Sequence, residues 1–276
     1  MKRNKKAVLT GAVLGTAAAL PVVMIAPGRA SKRKTAPFRG VNFAHRGLHT
    51  EDRTVPENSP EAFRRAAEAG YGIELDVRLT KDGKVVVLHD ENLRRACGVD
   101  RRVDEITYDE LRKLRLFGTS EHIPLLSEAL EAVAGRGPLI VELKTGKRNR
   151  ELCEKTCALL RAYGGPACVE SFNPLIVAWF RFHAPEFFRG QLVSPLHEYR
   201  GENIPRFEST LLSAMLLNFA ARPEFIARRI GPPTLPVRIT KALGAMQLGW
   251  TSHDPASEQD YDSVIFEYYR PAVRYK

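Results

Sequence analysis

The chain has 276 residues, 44% of them hydrophobic and 27% charged, with a formal net charge of +10, which is globular composition in a length that suits one large domain or two ordinary ones. The charge sits at one end: residues 1–40 hold nine basic residues (Lys2, Arg3, Lys5, Lys6, Arg29, Lys32, Arg33, Lys34 and Arg39) and no acid, leaving 33 basic against 32 acidic residues in 41–276. A nearly neutral body lacks the positive field on which nucleic-acid binding depends, and that class is excluded.

A basic flank over 1–6 is followed by twenty uncharged residues, Ala7 to Ala26. At about 1.5 Å rise per residue this run is long enough for a helix to cross a hydrocarbon core of about 30 Å, and residues 7–26 are expected to form one transmembrane anchor. The competing reading is a cleaved secretory signal, for which Gly28-Arg29-Ala30 would be a poor cleavage site. Both flanks of the run are basic, so the positive-inside rule leaves the side of the membrane open. Residues 27–40 read as a basic linker suited to anionic headgroups. The four cysteines, Cys97, Cys153, Cys157 and Cys168, are too few for a disulfide-stapled fold and are expected to be free thiols.

From Val41 onward short apolar runs alternate with helical patterns. The runs are VNFA, YGIELDV, KVVVLHD, PLIVELK, ACVESF, FRGQLV, AMQLGWT and SVIFE. Helices are expected around 59–69, 108–114, 127–134, 151–163 and 174–183, with further helical stretches before AMQLGWT. Asn58-Ser59-Pro60-Glu61 opens the first helix with capping chemistry, and Gly70 closes it. About eight strands with helices between them fit an α/β fold of the (β/α)8 TIM-barrel type over residues 41–276. A doubly wound sheet would more often carry a glycine-rich phosphate loop after its first strand, and none is present.

Polar residues collect at the carboxyl ends of these runs: His45-Arg46, Glu74 and Asp76, His89-Asp90, and Glu142 with Lys144. In a barrel those ends share one mouth. Strand alternation puts Glu74 and Asp76 on one side, and Glu142 and Lys144 likewise. Three carboxylates that converge in this way suit Mg²⁺ or Ca²⁺, and no histidine or cysteine cluster has zinc spacing. Burying several ionisable groups on consecutive strands is costly unless they are paired or bind an ion, which marks the set as functional.

His45-Arg46-Gly47, Pro56-Glu57-Asn58-Ser59, Glu74-Leu75-Asp76-Val77, Thr80-Lys81-Asp82-Gly83, Val86 to Asp90, Ile123-Pro124-Leu125 and Glu142-Leu143-Lys144 resemble, in order and spacing, the successive motifs of the glycerophosphodiester phosphodiesterases. The resemblance implies a barrel with a small insertion after the third strand, here about 91–126. It implies one divalent metal ion on Glu74, Asp76 and Glu142, His45 and His89 as the acid/base pair, Arg46 and Lys144 holding phosphate, and Glu57 beside the site. Ser171, Phe172 and Trp250 are the positions that resemble the family's pocket wall around glycerol. Where the last strand usually closes on a Thr-Asp pair, this chain has Phe266-Glu267, a departure expected to bear on the substrate side of the mouth.

The implied reaction is hydrolysis of a glycerophosphodiester to an alcohol and sn-glycerol 3-phosphate. Two alternatives stand beside it: a membrane-tethered phospholipase D-like enzyme acting on lysolipids, and a non-catalytic membrane-bound binding protein. No protein partner is predicted.

Overall fold

The computed structural model describes residues 20–201 and 204–274. Nine strands form one sheet: β1 Phe43–Ala44, β2 Gly72–Leu79, β3 Val85–Val87, β4 Leu139–Leu143, β5 Ala167–Ser171, β6 Phe188–Val193, β7 Phe225–Arg229, β8 Met246–Ser252 and β9 Ser263–Phe266. Their order is β1-β9-β8-β7-β6-β5-β4-β2-β3, with β1 also paired to β2. Eight strands therefore close into a parallel ring, and β3 hangs outside it, antiparallel to β2.

The barrel is as expected, but its membership differs in two places. KVVVL was expected as a ring strand, yet it returns along β2 because only a tight turn separates the two, with the Thr80 N–H on the Lys84 carbonyl and Gly83 at φ +75°. A parallel neighbour needs a crossover of a dozen or more residues. The ring is completed by β7, in a stretch expected to be helical.

Helices cover the ring, and the one at Pro60–Glu68 shows why. Ser59 caps it by accepting from the Ala62 N–H at 3.1 Å, Pro60 occupies its first turn, and Ala62, Phe63, Ala66 and Ala67 form its buried face. The segment after β3 has its own small core, in which Val86 and Leu88 pack with Leu93, Val103, Ile106, Leu111, Leu116 and Ile123. This is the insertion expected over 91–126. The cysteines are free, and Cys153, Cys157 and Cys168 are buried.

The anchor expected over 7–26 falls largely on residues 1–19, outside the described residues. Positions 20–25 are helical, and among the described residues no helix is long and apolar enough to cross a membrane. The segment 27–40, expected as a linker, packs against the barrel instead. Lys34 Nζ lies 2.7 Å from Glu224, and Phe38 joins the interior cluster with its ring 5.4 Å from that of Phe188, which in turn meets Phe225 at 4.8 Å. Phe38 is 3% exposed, so Phe38→Ala is expected to destabilise the fold by about 3–5 kcal/mol. A fall in the urea midpoint at unchanged slope would show it.

Candidate active site

Strands of a parallel barrel are buried on both faces and are normally apolar throughout, so inward carboxylates are exceptional. Here there are four, all buried: Glu74, Asp76, Glu142 and Glu170. Glu74 and Asp76 share one face of β2, Glu142 stands in register with Asp76, and Glu170 stands in register with Glu142. One oxygen each from Glu74, Asp76 and Glu142 lies within 4.8 Å of the others. Burial, followed by Asp76, Glu142 and Glu170, pushes the Glu74 carboxyl well above the usual range. Burial would raise Asp76 too, but Lys144, His89 and Arg46 hold it well below. Crowded oxygens that raise one another's proton affinity are hard donors short of positive charge. The three residues therefore fit a divalent cation such as Mg²⁺ or Ca²⁺.

The flanking cations occupy this ground. Lys144 Nζ lies 2.8 Å from both Asp76 and Glu142, nearer to the carboxylates than a purely phosphate-holding role would place it. Arg46 Nη1 donates to Glu57 at 2.8 Å, its Nε lies 3.4 Å from Asp76, and its backbone N–H donates to Glu74 at 3.0 Å. This grip requires a sharp exit from β1. Arg46 and Gly47 both have positive φ, and a Cβ on Gly47 would stand 2.8 Å from Ala62 Cβ.

Both histidines are braced by carboxylates. His45 Nδ1 lies 2.5 Å from Glu267, which leaves Nε2 facing Glu74 at 3.8 Å. Burial would raise Glu267, but hydrogen bonds from His45 and His49 hold its carboxyl well below the usual range. An ionised carboxylate only accepts, so Nδ1 carries the proton and Nε2 is the free lone pair. His89 Nδ1 lies 2.7 Å from Asp90. His89 stands just beyond the outer strand β3, so the two histidines, Lys144 and the three carboxylates of the triad come from three ring strands and one hairpin.

The wall residues separate. The Trp250 ring meets Phe172 edge-on at 5.8 Å, but the Ser171 hydroxyl donates to the Leu143 carbonyl at 2.7 Å and accepts from the Asn173 N–H. Ser171 is committed to the backbone and is not in the wall. Four contributors were not read from sequence as site residues. Asn58, taken only as helix-opening chemistry, donates to Asp76 at 2.9 Å. Arg95, in the insertion, contacts Glu57 at 2.6 Å and Asp90 at 2.5 Å, joining the Arg46 side of the mouth to His89. Glu170 and Glu267 are the other two.

The glycerophosphoryl diester phosphodiesterase family model matches residues 45–265. The chain belongs to that family. Within it, a glycerophosphodiester phosphodiesterase of Caldanaerobacter subterraneus is 43% identical over 112 residues, 38% of this chain and 45% of that protein. A human lysophospholipase D is 34% identical over 145 residues, 48% of this chain and 44% of that protein. The matched stretches thus span less than half of these relatives' lengths. Among solved structures, a glycerophosphodiester phosphodiesterase of Thermotoga maritima is similar at 27% identity and TM-score 0.61, over 82% of this chain and 94% of that one. An Oleispira antarctica phosphodiesterase in complex with the product sn-glycerol-3-phosphate shares the fold at 24% identity and TM-score 0.68, over 84% of this chain and 94% of that one.

Proposed function

We propose that this family member is a metal-dependent glycerophosphodiester phosphodiesterase that releases an alcohol and sn-glycerol 3-phosphate. The observation that carries the reading is the convergence of three cation-ready carboxylates with two carboxylate-braced histidines, at the carboxyl ends of β1, β2 and β4 and the end of the β2–β3 hairpin. The Oleispira antarctica relative, whose complex holds sn-glycerol-3-phosphate, supports the choice of product.

A bound divalent ion on Glu74, Asp76 and Glu142 would supply Lewis-acid neutralisation of the phosphodiester charge. Arg46, and Lys144 once released from the carboxylates, would bind the phosphoryl oxygens. His45, with Nε2 unprotonated and Nδ1 on Glu267, accepts a proton from the attacking water, or from the glycerol 2-hydroxyl, in which case a cyclic phosphate forms as the alcohol leaves and water then opens it to sn-glycerol 3-phosphate. His89 donates a proton to the leaving alkoxide, its ring held by Asp90. Phe172 and Trp250 wall the glycerol end. The uncharged run over residues 7–26, of which Ile25 docks on the barrel, tethers the chain to a membrane.

The test is a panel of glycerophosphocholine, glycerophosphoethanolamine and glycerophosphoglycerol with and without chelator. Turnover of at least one, lost on chelation and restored by Mg²⁺ or Ca²⁺, is the expected result; chelator-insensitive turnover, or none on any diester, rejects the reading. The human lysophospholipase D relative favours lysolipid as a second substrate class, which lysophosphatidylcholine added to the same panel would reveal.

A further inference from the structure

At the end of the barrel opposite the catalytic mouth, exposed apolar side chains and arginines form one contact path. It begins at positions 20–25, which are helical and docked: Ile25 is buried among Val193, Met215, Ile226, Val237 and Ala245, and its carbonyl accepts from Asn218 at 3.1 Å. Leu20, Val22 and Val23 of that helix remain exposed. The Val23 carbonyl accepts from Arg222 at 3.1 Å, and Arg222 follows the short helix that carries the exposed Phe219. The Phe219 and Ala220 carbonyls accept from Arg181 at 2.9 and 2.7 Å, and the Arg181 guanidinium lies 4.8 Å from the centre of the exposed Phe182 ring.

Every member of this path lies on the base side. Arg222 precedes the start of β7 and Phe182 precedes the start of β6, so both stand at strand amino ends, whereas the metal-ready carboxylates and histidines gather at carboxyl ends. Among the described residues no carboxylate lies within 4 Å of Arg181 or Arg222, nor of Arg29, Lys32 or Arg33, which follow positions 20–25 in the chain. Aromatic and aliphatic tips interleaved with uncompensated cations match an anionic bilayer surface, whose headgroups attract the charges and whose acyl boundary takes the tips. In the sequence, Leu20 is preceded by the uncharged residues 7–19.

We propose that the base of the barrel lies on an anionic lipid bilayer, so that the catalytic mouth opens away from the membrane and draws its diester from water. The statement about substrate rests on the phosphodiesterase reading above; the statement about orientation does not. Leu175, Phe207 and Leu235 are also exposed at the starts of three separate helices, and docking through that rim is the opposite outcome of the same experiment.

The test binds the full-length chain to vesicles of phosphatidylcholine and phosphatidylglycerol, the former brominated on its acyl chains. One variant carries Phe219→Trp with both native tryptophans replaced (Trp179→Phe, Trp250→Phe). The other carries Trp179→Phe alone and reports from Trp250 at the mouth. Quenching is expected to be at least about threefold stronger for the indole at 219, which would sit within the acyl boundary. Equal or stronger quenching of Trp250 overturns the proposal, as does absence of quenching at 219 in vesicle-bound chain, including the case where cross-linking shows a second copy covering that face. In an activity arm, the bound chain is expected to hydrolyse soluble glycerophosphocholine at the rate of the free chain and to leave lysophosphatidylcholine in the same bilayer intact. Cleavage of the bilayer lysolipid overturns the substrate statement. A chain without diesterase activity would remove the functional reading while the quenching still reports the orientation.

Discussion

His45→Ala is expected to leave the barrel folded and to lower kcat/KM on a glycerophosphodiester between about 10²- and 10⁴-fold, the range that a positioned acid or base supplies. His45 is half-buried beside Glu74, and its removal leaves no unpaired buried acceptor, because Glu267 keeps its contact with His49. Circular dichroism and retained metal binding would separate this loss from misfolding. Glu267→Gln tests the brace itself. The amide can also donate to Nδ1 and so favour the wrong tautomer, with an expected loss between about 10- and 100-fold. The pH profile carries the sign of the environment. Burial first, with Arg46 adding to it, lowers the His45 imidazole below its ordinary 6.5, against the hydrogen bond it donates to Glu267, which raises it. The unprotonated ring is therefore the main form at neutral pH, and the acidic limb of kcat/KM is expected to have its midpoint below 6.5. Glu267→Gln removes the raising partner and is expected to move that midpoint further down while lowering the plateau. An upward movement would reject the brace as the cause.

Much of this site is legible in sequence for one reason. Parallel barrel strands are apolar on both faces, so Glu74, Asp76 and Glu142 stand out against their neighbours, and strand alternation alone puts the first two on one side. Contacts made by closure of the ring are not legible in this way. His45 and Glu267 are 222 positions apart and meet because β9 pairs with β1. From sequence, Phe266-Glu267 read as a departure on the substrate side of the mouth, whereas the structure puts Glu267 on a histidine. Arg95 had no periodic or motif signal, because its role depends on how the insertion folds back over Glu57 and Asp90. The fold errors have equally local causes. KVVVL is apolar enough for a ring strand, and the five-residue link Thr80 to Lys84 was the stronger signal that it turns back. β7 escaped notice because Arg228 and Arg229 interrupt its short apolar run. Arg228 nonetheless lies in the layer outside the ring, its guanidinium 4.4 Å from the centre of the Tyr261 ring.

Replacement of a metal ligand should separate binding from stability more sharply than any other change. For the unaltered chain, Mg²⁺ at about 100 times its dissociation constant is expected to stabilise the fold by about 2.7 kcal/mol, which corresponds to about 5–11 °C in Tm for a chain of this size. Glu74→Gln is expected to abolish that shift and, with it, turnover. Its metal-free form is expected to melt no lower than the unaltered metal-free chain, and higher if the crowding at the triad is as described. The reason lies in what Glu74 does without a cation. Burial and three neighbouring carboxylates oppose its charge and push its carboxyl well above the usual carboxylate range. A glutamine of the same shape removes that conflict while its carbonyl still accepts the Arg46 N–H, now made by Glu74 at 3.0 Å. Glu74 would then be a position where the chain trades stability for an ion-binding charge, a pattern expected of functional sites and not of salt bridges retained for the fold. A metal-free Glu74→Gln chain that melts well below the unaltered one, with its Mg²⁺ shift intact, would mean that Glu74 serves the fold and that the cation is held by other groups.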